Sequence, residues 1–433
     1  MRAVVYHEVG AAPVIESVAA PECPPGGAIV AVRATGVCRS DWHAWRGHEP
    51  VALPHIPGHE FAGEVVEVGA GVRDFAVGDR VTSPFVNGCG VCGYCRDGDA
   101  QVCPDQTQPG FTDPGSFAEL VVVRGADTNL VRLPGDLGFA GAAALGCRFA
   151  TAFRALTAQA RLAAGEWVAI VGCGGVGLSA VLIAKALGAH VIAVDPSPAA
   201  RARAVALGAD HAVEITTSFS GAADVSDWVG AAGVSDVSGA ADGSDVFGVV
   251  GAADVSGAVG AADVSGAVGA ADVSGAAGAA DVFGAVGDDV SGADDSGGAA
   301  YSSTLTLHHP SVIEAIVPGG VHVTLDAAGS AVTADAAVRS LRRRGRHVQV
   351  GLMLGPDANA ALPWDLVVAR ELEIYGSHGM AAAGYPDMLA MVADGRLDPA
   401  ALVGRTITLD EAPAALMAMD RPAPQAGITT ILL

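Results

Sequence analysis

The sequence predicts an α/β fold of two domains, one of them interrupted by a low-complexity insertion, and three observations lead there. The first is a strand, glycine loop, helix and strand in succession between residues 167 and 195. The second is a knot of four cysteines between residues 89 and 103. The third is a nine-residue repeat that begins near residue 217. A length of 433 residues is enough for two domains.

The chain opens with Met1-Arg-Ala-Val-Val-Tyr-His-Glu-Val-Gly10, which alternates like a strand and lacks the apolar core of a signal peptide. Ligand-type residues follow. Cys38 stands in Gly36-Val-Cys38-Arg39-Ser40-Asp41-Trp-His43, and His59 and Glu60 stand in Pro57-Gly58-His59-Glu60. Cys147 stands in Leu145-Gly146-Cys147. Two thiolates and an imidazole form a three-ligand set that leaves a fourth position for water or substrate, the catalytic form of a zinc site. Taken singly, a buried Cys is usually a small hydrophobe, so only the joint occurrence has weight.

Cys89, Cys92, Cys95 and Cys103 have the spacing C-x2-C-x2-C-x7-C. Four thiolates this close can close a tetrahedron around one Zn²⁺ with no open position, which makes a structural site. An iron–sulfur cluster is the main rival, and disulfides are a third reading.

Trp167-Val-Ala-Ile-Val171 is a short apolar strand that runs into Gly172-Cys-Gly174-Gly175-Val176-Gly177 and then into a helical stretch over 178–187. His190-Val-Ile-Ala-Val194 is a second strand and ends at Asp195. The glycines permit a tight turn and close approach of a pyrophosphate at the helix N-terminus. An acid about twenty residues on completes a dinucleotide-binding pattern. Asp195 would accept hydrogen bonds from both adenosine ribose hydroxyls and repel a 2′-phosphate, which favours NAD over NADP. Arg201 and Arg203 on the next helix count the other way, and Pro196 also permits a plain turn at Asp195.

From residue 217 the composition collapses to Gly, Ala, Asp, Val and Ser. Asp236, Asp245, Asp254, Asp263, Asp272 and Asp281 keep a period of nine. Calcium-binding β-rolls need glycines where Ala258, Val259 and Ala261 precede Asp263, so that comparison fails. Val is the only sizeable apolar residue that recurs, and ordering such a segment costs roughly 1–2 kcal/mol per residue. Residues 216–303 are therefore expected to be a disordered insertion without chemistry, with a weak β-solenoid as the alternative. The flanks read as a strand near 211–215, then a short helix at Ser311-Val-Ile-Glu-Ala-Ile316 and a strand at 320–326. The insertion thus interrupts one strand-to-helix connection, and closure cost grows only logarithmically with loop length.

The formal net charge is −23, and residues 216–303 supply 13 Asp with no Glu, Lys or Arg. The acidity excludes nucleic acid as an expected partner. No apolar run is long enough to cross a membrane. Eight cysteines better explained as ligands than as disulfides fit a reducing cytoplasm. Cys23 and Cys173 receive no role.

With these motifs in this order, the chain resembles the zinc-dependent alcohol dehydrogenases of the medium-chain dehydrogenase/reductase superfamily over roughly residues 1–215 and 308–433. The resemblance implies an α/β plus β fold. A GroES-like catalytic domain would span 1–151 and 377–433, and a Rossmann NAD-binding domain 152–376 would carry the nonapeptide-repeat insertion. It implies two Zn²⁺ per chain: Cys38, His59 and Cys147 hold the catalytic ion, and Cys89, Cys92, Cys95 and Cys103 the structural one. Asp41 is implied as the carboxylate partner of His59, with Glu60 close behind the metal. Arg39 is implied to reach the cofactor pyrophosphate, and Val350, Gly351 and Leu352 to line the nicotinamide pocket. A proton relay is implied from Ser40 through the cofactor ribose to His43. Phe85 and Trp42 are candidates to line the substrate pocket. The short stretch between Cys103 and Phe117 goes with homotetramers rather than dimers among relatives. One departure is visible: Ile428-Thr-Thr-Ile-Leu432 has Thr where many relatives place an Arg near the cofactor phosphates. The reaction implied is reversible hydride transfer from an alcohol to NAD. A polyol, threonine or formaldehyde dehydrogenase is the alternative, as is a non-catalytic repeat-bearing interaction protein.

Overall fold

The computed structural model describes residues 1–215, 311–421 and 426–433, all within one compact unit. The expectations for the 216–303 insertion lie outside the described residues.

The N-terminal half is built on a seven-stranded, mostly antiparallel sheet. Its order is Val403–Thr408, Ile428–Leu432, Ala28–Val37, Phe61–Val68, Arg80–Thr82 and Val131–Arg132, with Leu120–Val123 pairing onto Ala28–Val37. Arg2–Val5 and Val14–Ser17 form a separate hairpin. Val30, Phe61, Val65, Val81 and Val121 are inward-facing and buried, as the period-2 alternation of strands requires.

The pairing of two of these strands sets the site. Thr35 pairs with Phe61 in antiparallel register, and the Gly36 N–H donates to the Glu60 carbonyl at 2.7 Å. The end of Ala28–Val37 and the start of Phe61–Val68 therefore share one end of the sheet, so Cys38 leaves the sheet where His59 and Glu60 enter it.

The second sheet has six parallel strands in the order His211–Val213, His190–Val194, Trp167–Val171, Val321–Asp326, Leu341–Gln349 and Glu373–Gly376. In chain order this is 3-2-1-4-5-6, the doubly wound dinucleotide-binding topology with its switch point beside Trp167–Val171. Both faces are buried, as parallel sheets require. Leu156, Ile170, Leu178 and Ile183 fill one side, and Val171, Ile192, Ile313 and Leu341 the other. Leu178 is buried, and its truncation to Ala would cost about 2–5 kcal/mol.

A continuous helical segment joins the two sheets. It runs from Phe139–Ala143 through the π-helical turn Leu145–Phe149 and Ala150–Arg154 to a second π turn, Ala155–Gln159. The boundary expected at 151/152 falls inside this segment. Strand His211–Val213 precedes the insertion and helix Ser311–Ile316 follows it.

Candidate active site

Cys38 caps the N-terminus of helix Arg39–Trp45 with an extended backbone, and its N–H donates to Asp41 Oδ2 at 2.9 Å. The other oxygen of Asp41 accepts the Gly58 N–H at 3.0 Å and faces His59 Nδ1 at 2.9 Å. Asp41 and His59 are fully buried. Gly58 is in the left-handed region at φ +104°, and a Cβ there would lie 2.4 Å from the Phe117 ring. A glycine is thus required for His59 to reach Asp41. Burial disfavours the charged imidazole, but Asp41 and Cys38 together outweigh it and hold the His59 pKa well above the usual value.

With Nδ1 committed to Asp41, His59 Nε2 is a buried polar atom with no hydrogen-bond partner. Leaving such an atom unsatisfied costs about 1–3 kcal/mol. The ligand atoms of Cys38, His59, Glu60 and Cys147 all lie within 4.8 Å of one another. Cys147 comes from the π-helical turn, a distortion that often re-aims a functional side chain. The hydrogen bond from the Cys147 thiol holds the Cys38 pKa well below its ordinary value. Two sulfurs and an aimed, unpaired imidazole fit a zinc ion with one position left open.

Glu60 is engaged elsewhere. Its Oε1 accepts the Arg148 backbone N–H at 3.1 Å and Nε–H at 2.8 Å, and its Oε2 accepts from Nη2. Arg148 also donates to the Val37 carbonyl at 3.3 Å. The pair is buried beside the metal ligands, with the Glu60 carboxylate within 4.8 Å of the Cys38, His59 and Cys147 ligand atoms. Sequence reasoning missed Arg148, although an arginine next to Cys147 in an otherwise apolar helix is a signal, since buried charges need partners.

The four clustered cysteines also meet. The Cys89 N–H points to Cys103 Sγ and the Cys95 N–H to Cys92 Sγ, both at 3.4 Å. Cys92 and Cys103 sulfurs are 3.7 Å apart, and all eight cysteines are free of disulfides. Sulfurs at tetrahedral corners about 2.3 Å from one zinc would be about 3.8 Å apart, so the donor set fits that ion and the disulfide reading is set aside.

A cavity of about 1010 Å³ runs from Cys38, His59 and Cys147 past Arg39, Ser40 and His43 to the carboxyl ends of the parallel strands. Gly172, Gly174, Gly175, Val176, Asp195, Val350, Gly351 and Leu352 all line it. The glycines differ in duty. Gly172 makes the turn at φ +88°, a Cβ on Gly174 would meet open space, and a Cβ on Gly177 would strike the Gly172 carbonyl at 1.8 Å. Gly177 packs beneath the loop, and the structure does not place it among the lining residues. Gly175 makes room for Arg148, whose Cδ would be 2.3 Å from an added Cβ.

Asp195 accepts the Cys173 N–H at 2.6 Å and the Ser197 N–H at 2.7 Å, which fixes its carboxylate at the strand end. Arg201 pairs with Glu214 at 3.0 Å and Arg203 donates to the Ala401 carbonyl, and neither lines the cavity. Arg39 donates to the Met419 carbonyl at 2.6 Å and stacks on Trp42. Phe85 lines the cavity, as expected, but Trp42 does not. Its indole N–H donates to Asp420 at 2.8 Å, so the helix turns that side chain away from the pocket. Glu49, Arg405 and Arg421 also line the cavity and went unnoticed in the sequence. None of the three stands in a recognisable motif.

Comparisons with known proteins agree with this geometry. Residues 24–135 match the alcohol dehydrogenase GroES-like domain, and residues 175–267 and 265–394 match the zinc-binding dehydrogenase family. An alcohol dehydrogenase of Rhizobium meliloti (strain 1021) is 41% identical over 218 residues, which are 49% of this chain and 63% of the relative. An alcohol dehydrogenase of Geobacillus stearothermophilus is 40% identical over 216 residues, 49% of this chain and 63% of that protein. The aligned stretch is thus less than two thirds of the length of these curated relatives. Among solved structures, the alcohol dehydrogenase TADH from Thermus sp. ATN1 superposes with a TM-score of 0.73 at 26% identity, covering 100% of this chain and 99% of that one. The Aeropyrum pernix alcohol dehydrogenase, at 23% identity and a TM-score of 0.71 over 100% of each chain, shares the fold. Matches to both characteristic domains, on a chain that brings both ligand sets together, place this protein in the zinc-dependent alcohol dehydrogenase family of the medium-chain dehydrogenases.

Proposed function

We propose that this chain catalyses reversible hydride transfer from a primary or secondary alcohol to NAD, giving an aldehyde or ketone. The observation that supports this most is the unpaired, buried His59 Nε2, aimed at two thiols in a cavity that also reaches Asp195. When bound, zinc supplies the Lewis acidity that lowers an alcohol's pKa, and NAD supplies the hydride acceptor.

The residues of the chain do the rest. Cys38, His59 and Cys147 would hold the catalytic ion, and Asp41 fixes the His59 ring so that Nε2 is left free for it. Cys89, Cys92, Cys95 and Cys103 hold the structural ion. Phe85 and Phe111, whose rings lie 6.1 Å and 5.1 Å from the His59 ring, keep water from the reacting carbon. Asp195 would receive the adenosine ribose hydroxyls of NAD, and the glycine loop its pyrophosphate. Ser40 would accept the proton released by the alcohol, and His43, three residues on along the same helix, would carry it toward solvent, with a bound cofactor's ribose hydroxyl supplying the hydrogen-bonding link between them. The catalytic domain comprises 1–151 and 377–433, and the NAD-binding domain 152–376. The working form is a cytoplasmic homotetramer.

Metal analysis with an alcohol/NAD assay tests the reading. Purified protein should contain two zinc equivalents and form NADH from an alcohol; one equivalent, iron, or no NADH formation with any alcohol would overturn it. Light scattering should give the mass of four chains.

A further inference from the structure

Glu49 follows helix Arg39–Trp45 in the turn toward Pro50, and it lines the same cavity as His59 and Cys147. It is half-buried, and among the described residues it has no hydrogen bond and no ion-pair partner. That is unusual for a carboxylate held partly out of water. The other carboxyls of the cavity and its rim are committed: Asp195 to two backbone N–H groups, Glu60 to Arg148 beside the metal ligands.

It lines the cavity together with Cys38, His59 and Cys147. Among the charges that bear on it are those of His59, Cys38, Asp41 and His48. Burial, ahead of these charges, pushes its carboxyl above the ordinary range. Gln108 and Thr112 line the cavity too. The Gln108 side-chain nitrogen donates to Gln106 Oε1 at 2.9 Å, and the Thr112 hydroxyl is bonded within its own turn to Gln108. Among the described residues, the Glu49 carboxylate is therefore an acceptor without a protein donor.

We propose that the substrate is an alcohol with a second hydrogen-bond donor, a hydroxyl or an ammonium group, which the Glu49 carboxylate receives while the reacting hydroxyl faces Cys38, His59 and Cys147. This rests on the alcohol dehydrogenase reading above. A simple alkyl alcohol offers Glu49 no donor and leaves it to water alone, and a hydroxy acid brings a second carboxylate against it. Sites built to bond a polar group discriminate strongly against analogues that lack it.

The test uses the zinc-loaded enzyme with NAD. The kcat/KM for propylene glycol should exceed that for propanol by about tenfold or more, the size of a hydrogen bond to a charged group. Lactate should be the poorest of the set. Alaninol separates the two donors: preference for it over the glycol identifies an ammonium, the reverse a hydroxyl. In Glu49→Leu the glycol-to-propanol ratio should collapse toward one. Glu49→Gln, which keeps an acceptor but no charge, should retain part of the glycol preference and lose any alaninol preference. Equal kcat/KM for glycol, alaninol and propanol in the wild type, or a ratio unchanged in Glu49→Leu, overturns the proposal. If no alcohol is oxidised at all, the alcohol dehydrogenase reading falls, and calorimetry still decides the role of Glu49. Pinacol should bind the wild type more tightly than tert-butanol does, and Glu49→Leu should erase the difference; equal affinities overturn it.

Discussion

His43 and His48 face each other Nδ1 to Nδ1 at 2.9 Å. One of these nitrogens must donate and the other accept, so the bond holds only while at most one ring is doubly protonated. His43 is half-buried and lines the cavity, whereas His48 is exposed. Burial first, then the charges of His48 and Arg39, lower the His43 pKa below the usual histidine value. His43 is three residues after Ser40 on one helix, so the two side chains lie on neighbouring turns of the same face. The pair thus extends the proposed proton path from the cavity to solvent.

His43→Gln should leave zinc content and fold unchanged and slow alcohol oxidation by about tenfold or more. A lowered pKa keeps the wild-type ring neutral, and able to accept a proton, down to a pH below the usual histidine range. The loss should therefore be largest just above that pKa, where hydroxide is scarce and the wild-type imidazole still works. Added imidazole should restore part of the rate. His48→Gln should act in the same direction but less. A His43→Gln pH–rate profile identical to wild type would make His43 a bystander.

What the sequence disclosed follows from what chemistry demands locally. Cys38, His59 and Cys147 were legible as ligand types, and the glycine loop with Asp195 as a spacing, because residue type and short-range spacing are enough to mark them. Arg148 was not, since its partner Glu60 is 88 positions away and only the fold brings them together. Trp42 was misplaced for a simpler reason. One residue is about 100° of helix, so the neighbour of a cavity-lining histidine points elsewhere. Its ring instead packs edge-on against His43 and His48, at 5.0 Å and 5.2 Å. The boundary at 151/152 falls within a helix because helical hydrogen bonding does not respect the division between sheets.

Asp41→Asn tests the assigned tautomer of His59. The amide keeps an acceptor oxygen but loses the charge that fixes the ring. Zinc retention against a competing chelator should fall by about 10- to 100-fold at the catalytic site. The structural site should keep its ion, so the protein should level off near one equivalent. Retention of both ions at wild-type affinity would remove Asp41 from this role.

The Glu60–Arg148 pair should be costly to break on one side only. Arg148→Met leaves a buried carboxylate without its cation, at a cost of about 3–5 kcal/mol. Arg148→Met with Glu60→Gln removes both charges and should recover a large part of that loss. The comparison is made by denaturant unfolding of the metal-loaded protein. Equal destabilisation by the single and double variants would show that the pair is not coupled.

Asp195→Ser should raise the use of NADP relative to NAD. The carboxylate stands at the strand end with both oxygens oriented by backbone N–H groups, and its charge opposes a 2′-phosphate. The ratio of kcat/KM values for the two cofactors should move toward NADP by about tenfold or more, as expected for removal of a like-charge clash. No change in the ratio would return Asp195 to the role of a turn residue.

The last prediction concerns Thr429, one of the two threonines in the stretch Ile428–Leu432 where the resemblance implies an arginine near the cofactor phosphates. Arg405 on the adjacent parallel strand is its partner in register, and both residues line the cavity. The Arg405 guanidinium is 3.6 Å from Glu411 Oε1, with both side chains more than half exposed, 57% and 51%. So exposed a pair contributes little and yields readily to a stronger anion. Arg405 is thus placed to supply, from one strand over, the cation that Thr429 lacks. Arg405→Ala should raise the NADH dissociation constant by about tenfold, the worth of one charge-assisted hydrogen bond. Fluorescence titration measures it without turnover. High salt should weaken NADH binding in the wild type more than in the variant, because the lost contact is the screened one. Thr429→Arg introduced into the Arg405→Ala background should restore affinity. An unchanged dissociation constant in Arg405→Ala would remove Arg405 from this role and leave the phosphates to the glycine loop and the other arginines of the cavity.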